Sequence, residues 1–441
     1  MTDTAQDRPL TEGSVVHHLI RLAIPAAMGM VFNTLYNLTD FWFAGMLSDA
    51  ALAGVSIAGS VFFLIIGIGA GMQSGTTAMI ASEVGAGREG GVRTWLNQAL
   101  GVGCVVALVS LAVGFWVAED LIRFLGAEPD VEPSAQTYAY IVLAGNVTFV
   151  LAAVATGALV ALGDTKSARN ALAIGFFANF ALNPLLTFGL GLGVTGLALS
   201  TVLIKLISAV YLVAVLRRRL DYTPRPVFDL ARWRELLYQV LPASFNMLMI
   251  ILGGFITVSF VGRFGSDHVA GYAVGLRLEQ VLLLPALGLN SAVMALVGQN
   301  FGAGQVDRVI DTYKKALLIG VAIALVSVPV MVFLSPLLVS VFSSNADVIA
   351  TGSTYLRIDA LAFFSYVVLF VSVASLQAVK QPLFPMVLGI ARQLVLPASI
   401  NYVLIVHAGL PMVSLFITIV SVVVISSIVT NWYTLRQLRA L

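Results

Sequence analysis

Residues Leu19–Met46, LIRLAIPAAMGMVFNTLYNLTDFWFAGM, set the reading of the whole chain. The run is long and apolar enough to cross a bilayer as a helix, with Pro25 near its start and one carboxylate, Asp40, near its end. A carboxylate inside a membrane span costs at least a few kcal/mol, and such residues mark ion paths and proton relays. The remaining sequence is read outward from Asp40.

Similar runs recur throughout. Of 441 residues 59% are hydrophobic and only 10% charged, against about 25% charged in soluble domains. Apolar runs separated by Gly, Pro and charge predict an all-α membrane protein with twelve transmembrane helices. The predicted spans are 16–46, 51–82, 93–117, 134–162, 167–190, 194–216, 233–262, 268–299, 310–340, 350–379, 383–406 and 410–435. The net charge of +2 gives no reason to expect a nucleic-acid partner. The polar first eighteen residues do not read as a cleaved signal peptide. One cysteine, Cys104, and four scattered histidines offer no metal-ligand cluster.

Orientation follows from Lys and Arg, which collect on the cytoplasmic side. With the N-terminus inside, eighteen of them fall on cytoplasmic segments and two, Arg123 and Arg263, on outer loops. Both termini are therefore expected in the cytoplasm, with the chain in the plasma or inner membrane. Lys205, Arg277, Arg357 and Arg392 fall within spans.

Sliding the sequence against itself by 217 residues places Pro25 on Pro242, Gly85-Ala86-Gly87 on Gly302-Ala303-Gly304, and Tyr138 on Tyr355. This is a duplication of six spans, and an even count relates the halves by a pseudo-twofold axis along the membrane normal, as in parallel-repeat transporters. The expected domains are a cytoplasmic tail 1–15, an N-lobe 16–216, a cytoplasmic linker 217–232 and a C-lobe 233–441.

A charge needed only to build a bundle should appear in both copies. Under the offset Asp40 meets Thr257, Asp359 meets Val142, Arg277 meets Ser60, Glu279 meets Phe62 and Arg357 meets Tyr140. The fold does not demand these charges. Counted at 1.5 Å per residue, Asp40, Asn183, Thr201 and Asp359 lie roughly 9 to 14 Å from the outer ends of their spans, in one layer. Asn179 and Asn183 share a helix face, as do Tyr355 and Asp359. Asp40, Asn179, Asn183 and Thr201 offer oxygen ligands of the kind that suit a proton relay or, with sodium coupling, Na⁺. Pro25 is a candidate hinge on the helix that carries Asp40.

Simpler readings compete. The asparagines serve equally as polar glue between helices, and Glu279 as a structural partner of Lys205 or Arg392. Tyr36, Phe41 and Trp42 are candidate substrate-lining aromatics, against interfacial anchoring or packing. Met28, Met30 and Met72 are candidates for a forgiving drug-lining wall, against ordinary packing.

The duplicated plan, Pro25 and Asp40, the two Gly-Ala-Gly turns and the run Leu296 to Gly304 (LVGQNFGAG) together resemble the multidrug and toxic compound extrusion (MATE) family. The resemblance covers about Ser14 to Arg436. It implies a cation-coupled antiporter, without bound cofactor and driven by H⁺ or Na⁺, that exports amphipathic, often cationic compounds by alternating access of two lobes in a bilayer, as a monomer. In the DinF-like branch the first-span Asp works with polar residues of the fifth and sixth spans, which match Asp40, Asn179, Asn183 and Thr201; Asn183 departs from a second Asp frequent there. In the NorM-like branch an Asp one turn after a Tyr of the tenth span serves the cation, which matches Tyr355 and Asp359; the Glu of its seventh span is missing, with Asn246 in that region. The resemblance leaves H⁺ and Na⁺ open, with H⁺ favoured by the apolar surroundings of Asp40. The rival is a lipid-linked saccharide flippase of the same superfamily, for which a strongly cationic cavity would be expected. No nucleophile–base pair or metal cluster suggests an enzyme.

Overall fold

The structure, a computed structural model, describes residues 9–441. Arg8 and the rest of the first eight residues of the expected tail lie outside the described residues. Hydrocarbon cannot satisfy a free backbone N–H or C=O, so apolar runs of this length close their bonds internally as helices. Among the described residues eleven helices are long and apolar enough to span, and a bent pair makes a twelfth. In chain order they are α1 Val15–Leu47, α2 Asp49–Gly85, α3 Glu89–Phe124, α4 Glu132–Ala144 with Asn146–Ala161, α5 Thr165–Gly189, α6 Gly193–Leu220, α7 Leu230–Phe264, α8 Ser266–Gly302, α9 Val306–Phe333, α10 Ala346–Ala378, α11 Leu383–His407 and α12 Val413–Arg439.

Several irregularities of these helices follow the 217-residue offset, whereas a wide turn at Ala391–Val395 inside α11 has no counterpart in α5. The two parts of α4 meet at Gly145 with a bend of 50°, and α10 tightens into a 3-10 turn at Ala360–Ala362, the matching register. A wide turn at Leu185–Gly189 ends α5 and another at Tyr402–His407 ends α11. Gly87 and Gly304, which follow α2 and α8, take φ of 69° and 72°, a conformation that a Cβ disfavours.

By its contacts the chain divides into two compact units. One holds Met28–Ser244, and the other holds the chain up to Ala27 together with Phe245–Leu441. The divisions fall inside α1 and α7, two residues after Pro25 and two after its repeat partner Pro242. Within the Met28–Ser244 unit, Met72, Leu96, Val154 and Leu159 form a core with Leu236 and Val240 from the start of α7. A second core joins Phe43, Ile122, Tyr138 and Leu197. The segment between α6 and α7, the expected linker, is strapped to α3, where Val227 N–H donates to the Asn97 carbonyl at 3.2 Å and Arg225 N–H to Asn97 Oδ1 at 3.1 Å. In the other unit Arg308 donates to the carbonyls of Leu10, Glu12 and Gly13 at 3.1, 2.8 and 2.8 Å. Leu10 and Val227 are repeat partners, so each half has its own strap ahead of its first helix.

One pair of close approaches is also duplicated. Gly71 of α2 lies against Val240 and Ser244 of α7, and Gly288 of α8 against Ala23 and Ala27 of α1. A Cβ at Gly288 would come within 2.5 Å of the Ala23 carbonyl oxygen and 2.7 Å of Ala27 Cβ. Small residues of this kind let membrane helices approach closely. Backbone cannot yield as a side chain can, so Gly288→Ala should lower the thermal unfolding midpoint of the detergent-purified protein. Gly59→Ala, where an added Cβ meets nothing within 4 Å, should leave the midpoint unchanged or raise it, as Ala outranks Gly in a helix.

Candidate functional site

The polar layer around Asp40 is assembled by three helices of the Met28–Ser244 unit. Asp40 stands on α1, Asn179 and Asn183 one turn apart on α5, and Thr201 on α6; all four are buried. Asn179 Nδ2 donates to Asp40 Oδ1 at 2.7 Å and Asn183 Nδ2 to the same oxygen at 2.8 Å. Asn183 also donates to Asn179 Oδ1 at 2.9 Å, which locks the two amides in register. The second carboxylate oxygen is less occupied. Thr201 Oγ1 lies 3.4 Å from Oδ2 and is also 3.2 Å from the Leu197 carbonyl. The Tyr138 hydroxyl lies 3.5 Å from Thr201 Oγ1. The sequence reading anticipated the four-residue set; Tyr138 was visible there only as a repeat marker.

The arrangement is one-sided in its chemistry. Both amides present N–H groups to Oδ1, so they hold the carboxylate as an acceptor. Their own oxygens are not turned to it: Asn179 Oδ1 accepts from Asn183, and Asn183 Oδ1 is buried without a partner. A proton can be added at Oδ2 without breaking either amide bond, with Thr201 Oγ1 as its acceptor.

A second buried polar group lies in the unit that holds Phe245–Leu441. The spacing of Tyr355 and Asp359 places them on one face of α10, yet their hydroxyl and carboxylate have different partners. Tyr355 donates a short hydrogen bond to Glu279 Oε2 of α8, and Asp359 Oδ1 accepts from Tyr366 at 3.1 Å. Asp359 is 1% exposed and its Oδ2 has no partner. Tyr355 reaches α8 because Gly275, one turn before Glu279, has no Cβ; one added there would lie 2.7 Å from the Tyr355 ring. Tyr272 and Phe416 pack against the Tyr355 ring at centroid distances of 4.9 and 5.2 Å. The expected pairing of Glu279 with Lys205 or Arg392 is thus replaced by a tyrosine hydroxyl. The signal for Glu279 was present in sequence as an unrepeated charge, but its partner depends on the α8–α10 approach. Arg357, close in sequence to Asp359, donates to the Val332 carbonyl at 3.2 Å instead.

The other candidates scatter. Met72 is fully buried in the α2–α3–α4 core. Tyr36 is 4% exposed, with the Lys205 ammonium 5.4 Å from its ring centroid. Phe41, Trp42 and Met28 are exposed and Met30 is half-buried. Pro25 is buried inside the continuous α1. No group of three His, Cys, Asp or Glu suited to a metal occurs among the described residues.

A model of the MatE family matches residues 25–185 and again 242–403, so that its two copies start 217 residues apart. The chain belongs to the MatE family. It is 28% identical over 394 residues to a Shewanella oneidensis protein named "FAD transporter", covering 86% of this chain and 85% of that protein. It is 27% identical over 357 residues to a Thermotoga maritima protein named "Probable multidrug resistance protein NorM", covering 78% and 76%. Among solved structures, a MOP superfamily transporter from Pyrococcus furiosus superposes with a TM-score of 0.91 at 25% identity, covering 98% of this chain and 97% of that one. A multidrug resistance MATE transporter described in an outward-facing conformation gives the same TM-score, identity and coverage. The chain is a multi-span membrane transporter of the multidrug-efflux family and not an enzyme.

Asparagine is a close mimic of a protonated aspartate, so Asp40→Asn should keep both bonds to its Oδ1 and leave the unfolding midpoint within a few degrees of wild type. Asp40→Ala leaves two buried amides without their acceptor, at a cost of about 1–3 kcal/mol each. A clear drop in midpoint for Asp40→Ala alone is the expected result of thermal unfolding in detergent.

Proposed function

We propose that this MATE-family chain is a cation-coupled antiporter that exports amphipathic organic compounds by alternating access, with Asp40 as the main coupling carboxylate. The observation that carries the reading is the uneven solvation of Asp40, whose Oδ1 accepts from two amide donors while Oδ2 has only the longer contact with Thr201 Oγ1. Protonation at Oδ2 cancels a charge inside the membrane without dismantling the site. Deprotonation restores an anion that the two amides hold, with the Lys205 ammonium one helical turn beyond Thr201. Proton coupling fits better than Na⁺ coupling, because Na⁺ calls for several converging oxygens and the amides here present nitrogen to the carboxylate.

In this reading both termini are cytoplasmic and the chain is a monomer in the cell membrane. The lobes are 16–216 and 233–441, joined by the linker 217–232. Pro25 acts as the hinge of α1, since it removes a backbone bond close to where the helix passes from one compact unit to the other. Glu279, Tyr355 and Asp359 form a second polar group able to exchange a proton in the C-terminal half. A second reading concerns cargo. The relative named for FAD transport and the basic Lys205 beside the Asp40 layer favour an acidic aromatic substrate over a lipophilic cation.

Proteoliposomes with an imposed pH gradient or an imposed Na⁺ gradient separate the options. Proton-driven substrate movement that is lost in Asp40→Asn is expected. Transport that survives this change overturns the role of Asp40, and transport that follows only the Na⁺ gradient overturns proton coupling.

A further inference from the structure

Lys205 has no place in the coupling scheme above, yet a lysine within a membrane span is costly to keep. Its repeat partner is Val422, a buried core residue, so the fold accepts an apolar side chain in the equivalent position. Lys205 follows Thr201 by one turn on α6, and Tyr36 precedes Asp40 by one turn on α1. Helical spacing therefore stacks a Tyr36–Lys205 layer directly beneath the Asp40–Thr201 layer. The Lys205 ammonium lies 5.4 Å from the Tyr36 ring centroid and 5.6 Å from that of Phe149. Phe149 is itself fixed by an edge-on contact with Phe62, 5.4 Å between centroids. Asn33 and Ser208 line a small cavity with Tyr36 and Lys205.

Two aromatic faces next to a carboxylate are the recognition elements for a lipophilic cation. Here the protein's own ammonium occupies them. A cationic guest would lose the rings and meet a like charge, whereas a guest bearing a carboxylate or phosphate would gain a counter-ion with aromatic surface beside it. We propose that Lys205 sets the substrate class of the N-terminal half, filling the position a drug cation would take and turning the pocket toward amphipathic aromatic acids. This rests on reading the Asp40 pocket as a substrate-binding pocket, and it does not depend on which ion drives transport.

The test is equilibrium binding to the detergent-purified full-length protein, with flavin adenine dinucleotide as the anionic probe and tetraphenylphosphonium as the cationic one. Wild type and Lys205→Arg should prefer the anionic probe. Lys205→Met should bind it about tenfold more weakly and tetraphenylphosphonium about tenfold more tightly, a change of about 1.4 kcal/mol in each direction. Should Lys205→Met fail to give a monodisperse protein, Lys205→Gln is scored by the same two affinities. An unchanged ratio of affinities between wild type and the neutral variant overturns the proposal, as does a wild type that binds neither probe. No gradient is present, so the outcome is separate from proton coupling, which fails or stands on the Asp40→Asn flux experiment.

Discussion

Inside hydrocarbon a polar group must find its partner within the protein, and this constraint shapes the molecule at every level. The backbone satisfies it by forming helices, and the segments ahead of α1 and α7 bond instead to side chains of Arg308 and Asn97. Where lipid is the alternative environment, burial of apolar surface gives helices little reason to associate, so close backbone approach at Gly71, Gly275 and Gly288 supplies packing that bulkier residues would prevent. Side-chain charges satisfy the same constraint locally: Asp40 with two amides, Glu279 with a phenol, Lys205 with two rings.

The duplication separates what builds the protein from what it does. The α4 and α10 breaks, the wide turns that end α5 and α11, the Gly87 and Gly304 turns and the Gly71 and Gly288 contacts occur in both halves at one offset. Tyr138 and Tyr355 are also repeat partners, and each turns its hydroxyl toward a buried polar group of its own half. The carboxylates do not repeat: one half carries Asp40 on its first helix, and the other carries Glu279 on its second, α8, and Asp359 on its fourth, α10. A shared scaffold thus offers equivalent tyrosines to two differently charged centres.

Hydropathy and the 217-residue offset made the helices and the duplication legible, because both depend on residue type and order alone. The Asp40 set was legible too, since each member is a polar residue at similar depth in an otherwise apolar span. Contacts between helices were not. Glu279 meets Tyr355 through the space left by Gly275, and Tyr36 meets Lys205 because α1 and α6 pack with Asp40 against Thr201; neither follows from spacing along one helix alone. Met72 illustrates the same limit, as its sequence neighbourhood suits a drug-lining wall and its interhelical position places it in the core.

The repeat also locates an asymmetry in the proposed transport cycle. Pro25 and Pro242 occupy the same position in α1 and α7, and each helix passes from one compact unit to the other two residues later. Both helices therefore carry the same break in their hydrogen-bond ladder. Fifteen residues beyond it, α1 has Asp40 and α7 has Thr257, whose hydroxyl donates to its own helix at the Gly253 carbonyl, 2.9 Å away. A proton can change the charge at this position of the first helix and cannot change it at the matching position of the second. Coupling through α1 alone would then bend one of two equivalent hinges, with α7 as the passive member of the pair.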